Sequence, residues 1–160
     1  QPGAVEIGVM VETPAAALTV DLLAAQADFF SIGTNDLSQY TLAMDRQNAQ
    51  LGAQNDALHP ATLRLIRLVM DNADRCGRPV GICGGLASEP LAAPLLIGLG
   101  ARSLSVVPAP IPQLKGLCRQ LLLRDCERLA DRAQTLNCAQ AVRQLLREFH
   151  AAHTDHLLAD

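Results

Sequence analysis

At 160 residues, 49% of them apolar and 18% charged, the chain is long enough to bury one sizeable core and too apolar to be disordered. A formal charge of −3 and a pI near 5.8 leave no basic stripe and argue against a nucleic-acid surface. No apolar run reaches the length of a membrane span, because the longest, over 91–99, is broken by Pro94 and Gly98.

In chain order, residues 5–11 predict a buried strand ending at Glu12. Thr13 predicts an N-cap, with Pro14 at the first helical position, for a helix over 15–27. Residues 29–32 predict a second strand, which breaks at Gly33 and delivers Thr34, Asn35 and Asp36 at its carboxyl end. A helix over 36–44 follows, with Thr34 as its expected N-cap, and 47–58 reads as a polar loop. Pro60 starts a long helix with Leu63, Ile66, Met70 and Ala73 on one face, ended by Gly77.

The third strand is expected over 79–82, ending at Cys83-Gly84-Gly85. Ser88 predicts the cap of a helix over 89–99, with Glu89 in its first turn and Gly100 closing it. A fourth strand over 103–107 leads through a Pro-rich turn, 108–112, into helices over 113–123, 125–136 and 139–150. Residues 1–150 read as one domain and 151–160 as a disordered tail.

Strand–helix alternation argues for an α/β fold with a parallel sheet and right-handed crossovers. The strands are short and apolar, as strands buried on both faces should be. An open doubly wound sheet and part of a (βα)8 barrel both fit. The residues able to do chemistry favour the barrel, because Glu12, Asn35, Asp36 and Cys83 all follow strands, and barrels build their sites at strand carboxyl ends. Four βα units make half of such a barrel, whose usual length is about 250 residues. The opening Gln1-Pro-Gly, without an initiator Met, agrees with a piece of something longer.

Five cysteines, Cys76, Cys83, Cys118, Cys126 and Cys138, are an odd number without Cys-x-x-Cys spacing. That argues against a disulfide framework or zinc site and for a reducing cytoplasm. Cys83 stands apart at a strand end before two glycines; the other four read as structural. His59, before Pro60, reads as a turn or cap residue.

Glu12 and Asp36 together supply the small oxygen set that Mg²⁺ prefers, although each alone would suit the start of a helix. Two carboxylates could also form an acid/base couple, as in glycosidases. Asn35 beside them and Arg46 ten residues past Asp36 favour a metal–anion site, since a guanidinium offers a bidentate fork to phosphate or carboxylate.

Four stretches in order, Gly8-Val-Met-Val-Glu-Thr-Pro14, Phe29-Phe-Ser-Ile-Gly-Thr-Asn-Asp-Leu-Ser-Gln-Tyr40, Met44-Asp-Arg-Gln-Asn48 and Gly81-Ile-Cys-Gly84, resemble the C-terminal domain of phosphoenolpyruvate–protein phosphotransferase. This is enzyme I of the bacterial sugar phosphotransferase system. The resemblance covers about 4–149. Pyruvate phosphate dikinase and phosphoenolpyruvate synthase share the Asn-Asp and Cys-Gly themes, but the Gln-Tyr-Thr and Asp-Arg-x-Asn runs look like enzyme I. The family commonly reads Cys-Gly-Glu-Met-Ala-Gly-Asp where this chain has Cys83-Gly-Gly-Leu-Ala-Ser-Glu89. In that departure it looks more like the multiphosphoryl transfer proteins of fructose uptake.

The resemblance implies the second half of a TIM-type barrel that binds phosphoenolpyruvate. It further implies phosphoryl transfer to a histidine on a separate domain, with release of pyruvate. Glu12 and Asp36 would hold Mg²⁺, Asn35, Asp36 and Arg46 would bind substrate, and Cys83 would donate a proton to the enolate. The implied partners are the phosphohistidine domain, the phosphocarrier protein HPr and a second copy in a homodimer. A Mg²⁺-dependent aldolase or lyase, and a non-catalytic dimerisation or regulatory half-barrel, are the competing readings.

Overall fold

The computed structural model describes residues 3–153. Four strands, β1 (Gly8–Val11), β2 (Phe29–Gly33), β3 (Val80–Cys83) and β4 (Ser103–Leu104), form one parallel sheet in the order β1-β2-β3-β4. The register pairs Val11 with Ile32, Ile32 with Ile82, and Ile82 with Leu104. β1 starts at Gly8 rather than at residue 5, and Val5 and Ile7 stay exposed, because β1 is an edge with a neighbour on one side only. β4 is the other edge, and among the described residues beyond Leu104 only Ser105 N–H still reaches a strand, donating to Ile82 O at 2.8 Å.

The expectation that the strands are buried on both faces is corrected. Side chains alternate across a strand. Val11, Phe30, Ile32 and Ile82 are fully buried against Leu63, Ile66, Leu95 and Leu96 of the helical layer. Burying each such side chain stabilises the fold by roughly 1.5–3 kcal/mol. The opposite face carries Gly8 and Phe29, then Met10, Ser31, Gly81 and Ser103, then Glu12, Gly33, Cys83 and Ser105. Met10 is 48% exposed and Phe29 37%, so this second face is not covered by helices.

The helix expected over 15–27 is two helices, α1 (Pro14–Leu18) and α2 (Val20–Leu23). Thr13 caps α1 as expected, its Oγ accepting from Ala16 N–H. Thr19 breaks the run: its Oγ donates back to Ala15 O at 2.9 Å, and its carbonyl starts the next turn. α3 (Thr34–Leu42) begins two residues earlier than expected. Thr34 is its first helical residue, not its cap; the cap is Gly33. α4 (Pro60–Arg75) follows its expected course, with His59 as N-cap accepting from Ala61 N–H through Nδ1. Leu63, Ile66, Met70 and Ala73 are buried on its inner face.

The helix expected over 89–99 is also corrected. A single 3₁₀ turn covers Leu86–Ser88, and α5 spans only Ala93–Gly98. Pro94 cannot occupy a helix interior without losing a backbone bond, so the helix restarts with Pro94 in its first turn. Ser88 therefore caps nothing; its Oγ accepts from Val107 N–H. α6 (Ile111–Cys118), α7 (Leu123–Gln134) and α8 (Ala139–His153) complete the chain. α8 runs to His153, three residues past its expected end, and the rest of the expected tail, 154–160, lies outside the described residues.

Among the cysteines, only Cys126 fits a structural thiol: it is fully buried, and burial together with Asp125 pushes its thiol up to about 11. Cys76, Cys118 and Cys138 are exposed, so reading them as structural is corrected; each stands at or just outside a helix end. No helix of the described residues is long and apolar enough to cross a membrane.

Candidate active site at the carboxyl edge of the sheet

Parallel pairing brings every strand's carboxyl end to one edge, and the register sets which residues stand side by side there. Gly33 pairs with Cys83, and Glu12 follows Val11, the partner of Ile32. Glu12, Gly33 and Cys83 therefore form one row across three adjacent strands. Asn35 and Asp36 stand just above, in the first turn of α3, where free N–H groups favour an anion.

Cys83 is half-buried and held from below. Ser31 Oγ donates to its Sγ at 3.6 Å, and the thiol lies 3.4 Å from the Ile32 carbonyl and 3.8 Å from Met10 Sδ. Sequence reading missed Ser31 and Met10. The available signal was the period of two: both lie two residues before a residue of the Glu12–Gly33 row.

The turn after Cys83 is fastened to α3 at two points. Thr34 Oγ donates to Cys83 O at 2.9 Å, and Gly85 N–H donates to Asn35 Oδ1 at 2.8 Å. Thr34 thus links the two loops instead of capping its helix. Gly84 has φ +94°, and a Cβ there would lie 2.5 Å from Thr34 Oγ, so both backbone angle and space demand glycine.

Asp36 and Arg46 form an ion pair at 3.2 Å, with side chains 31% and 41% exposed. Water screens such a pair, so it adds little stability and leaves both groups available to a ligand. The Arg46 backbone N–H donates to Gln39 Oε1 at 3.1 Å, tying this loop to α3.

Among the described residues, no three His, Cys, Asp or Glu side chains gather as a ready-made metal cage. The donor set nevertheless suits a hard divalent cation that keeps waters and substrate oxygens, for which one or two carboxylates suffice. Gly33 lets the Glu12 side chain lie across it: a Cβ there would stand 3.0 Å from Glu12 Oε2. A mainly apolar cavity of about 1450 Å³ opens beside Asn35, Gly84 and Gly85 toward Leu104, Val106 and Leu114. Glu12, Asp36 and Cys83 are not part of its lining. The site is therefore an open shelf, with carboxylates, an amide, a guanidinium and a thiol on one edge and an apolar wall beyond β4.

Comparison with known proteins gives a consistent picture. Residues 2–123 match the model of the family described as PEP-utilising enzyme, PEP-binding domain. The chain is 52% identical over 139 residues to a multiphosphoryl transfer protein of Xanthomonas campestris, covering 87% of the chain and 17% of that relative. It is 43% identical over 145 residues to a phosphoenolpyruvate-protein phosphotransferase of Haemophilus influenzae, covering 91% of the chain and 25% of the relative. A multiphosphoryl transfer protein of Rhodobacter capsulatus is 46% identical over 141 residues, 88% of the chain and 17% of the relative. The chain thus spans a quarter or less of the length of these relatives.

Proposed function

The chain belongs to the PEP-utilising enzyme family, as its PEP-binding domain, and on that premise we propose that the intact protein phosphorylates a protein histidine from phosphoenolpyruvate and releases pyruvate, the first step of the sugar phosphotransferase system. The observation that carries this reading is the joined pair of loops. Cys83 and Gly85 of one are bonded to Thr34 and Asn35 of the other, beside the Asp36–Arg46 pair. A thiol, an amide, a carboxylate and a guanidinium thus stand on two joined loops at one edge of the sheet. The aldolase and dikinase alternatives gain no support from the names of these relatives.

Asn35, the N–H groups opening α3 and Arg46 hold the phosphate and spread the charge that builds on it. Phosphoryl transfer depends mainly on such positioning and electrostatics. Glu12 and Asp36 are the residues that would hold Mg²⁺, which would supply positive charge to offset the negative charge of the substrate. The substrate's P–O bond breaks, a new bond forms to the acceptor histidine nitrogen, and the enolate of pyruvate is left. The Cys83 thiol gives its proton to the methylene carbon of that enolate, forming the methyl group.

The acceptor histidine belongs to another domain, and the phosphocarrier HPr takes the phosphoryl group onward. The uncovered sheet face supports a half-barrel whose other strands come from the rest of the protein. The face that carries Met10, Ser31, Gly81 and Ser103, then Glu12, Gly33, Cys83 and Ser105, is the one those strands would enclose. The apolar wall beyond β4 suits the same closure. A reducing cytoplasm and a homodimer complete the proposal. Gly85 and the 52% identity to a multiphosphoryl transfer protein favour that branch of the family.

The test is phosphohistidine formation from labelled phosphoenolpyruvate. The intact protein is expected to form it and the isolated 160-residue chain is not. Labelling of the isolated chain would overturn the placement of the acceptor elsewhere, and no labelling of the intact protein would overturn the function. Glu12→Gln in the intact protein is expected to raise the Mg²⁺ concentration for half-maximal activity by about tenfold or more, at least the cost of losing an outer-shell partner at a metal site. An unchanged Mg²⁺ titration would remove Glu12 from the ligand set.

A further inference from the structure

Arg143 is a charged residue on α8, far along the chain from every residue of the site. Its Nε and Nη2 donate to Asp56 Oδ2 and Oδ1 at 2.8 and 3.0 Å, a two-point fork, and its Nη1 donates to Glu89 Oε2 at 3.3 Å. Asp56 and Glu89 close the two loops that form the site. Asp56 ends the loop that carries Arg46: Asn55 Nδ2 donates to Met44 O at 3.2 Å across the neck of that loop, and Asp56 Oδ1 accepts from Leu58 N–H at 3.0 Å. Glu89 follows the turn over Leu86–Ser88, directly after Gly85 and its bond to Asn35. A cavity of about 390 Å³ lies between the loops, with Asn35, Arg46 and Gly85 among its lining residues together with Asp56, Glu89 and Arg143.

We infer that Arg143 is a positioning residue for the transfer reaction: by gripping Asp56 and Glu89 at once, it sets how far the Arg46 loop stands from the Cys83–Gly85 turn. This rests on the function proposed above. Two observations separate the role from simple helix docking. α8 is already seated by Val142, Leu145 and Leu146, all buried, so the apolar face does not need the guanidinium. Without Arg143, two carboxylates from different loops would face one shared space and repel each other, which acts on the loop separation itself. The fork requires a planar group with several donors, which a lysine does not reproduce.

The test compares wild type with Arg143→Met and Arg143→Lys in the intact protein, by steady-state kinetics with phosphoenolpyruvate. Arg143→Met is expected to lower kcat/KM about 10- to 100-fold, mainly through KM, because misplaced phosphate-binding groups weaken substrate binding. Arg143→Lys is expected to recover part of that loss. A KM within about twofold of wild type, with any loss confined to the melting temperature or to the active fraction, would overturn the inference. If Arg143→Met does not fold, Asp56→Asn and Glu89→Gln replace it, and unchanged KM in both is the overturning result. A wild type that forms no phosphohistidine overturns the functional reading and this inference together, and that failure shows in the wild-type arm.

Discussion

Replacing Cys83 with alanine in the intact protein is expected to lower turnover of phosphoenolpyruvate by at least about 100-fold, the low end of what a positioned general acid contributes. Substrate affinity, measured by calorimetry with Mg²⁺ present, is expected to stay within about twofold of wild type, since the phosphate-holding groups lie on the other loop. Cys83 sits in the Glu12–Gly33 row, and its thiol is held by Ser31 Oγ and the Ile32 carbonyl. It is the only thiol at this edge of the sheet among the described residues: Cys126 is buried on the inner face of α7, and Cys76, Cys118 and Cys138 stand at helix ends. Loss of turnover together with loss of binding would make Cys83 a structural member of the shelf. Turnover at the wild-type rate would remove it from the reaction.

The second large effect is on stability. Gly98 lies in α5 where the helix meets α7 most closely, and a Cβ there would stand 1.9 Å from Cys126 O and 2.4 Å from its carbonyl carbon. Those are backbone atoms, which cannot swing aside as the end of a side chain can. Gly98→Ala is therefore expected to destabilise the domain by about 3 kcal/mol, the upper part of the range for overpacking. For a domain of this size that lowers the melting transition by roughly 6–12 °C. Gly116→Ala in α6 is the matched control. A Cβ there meets nothing within 4 Å, so the usual helix preference for alanine over glycine, about 0.5–1 kcal/mol, is expected to stabilise. Calorimetry of the intact protein, following the transition of this domain, reads both signs. Equal shifts for the two variants would mean that α5 and α7 can part without cost.

Much of the site was legible before the fold. Short apolar runs and the glycine breaks place Glu12, Asn35, Asp36 and Cys83 at strand ends, and parallel pairing then gathers strand ends on one edge. What escaped was contact between loops. Thr34 and Ser88 both look like helix caps, because a hydroxyl before a helical run is the usual cap signal. In the structure each hydroxyl bonds to another segment instead, Thr34 to Cys83 O and Ser88 to Val107 N–H. A local pattern cannot distinguish a hydroxyl that serves its own helix from one that serves a neighbour.

The elements that depend on short-range chemistry are readable from the chain. These are the Thr13 cap and the Pro14 start of α1, the long amphipathic α4 with His59 before it, the four strands, and the chemical types at their ends. Their causes lie within one or two turns of chain, so spacing and residue type report them. Tertiary structure alone decided which face of the sheet is covered, that Ser31 and Met10 flank Cys83, and that Arg143 joins Asp56 to Glu89 across separations of 87 and 54 residues. Such contacts arise when distant segments settle against a common core, and their partners are set by packing geometry, which no local spacing encodes.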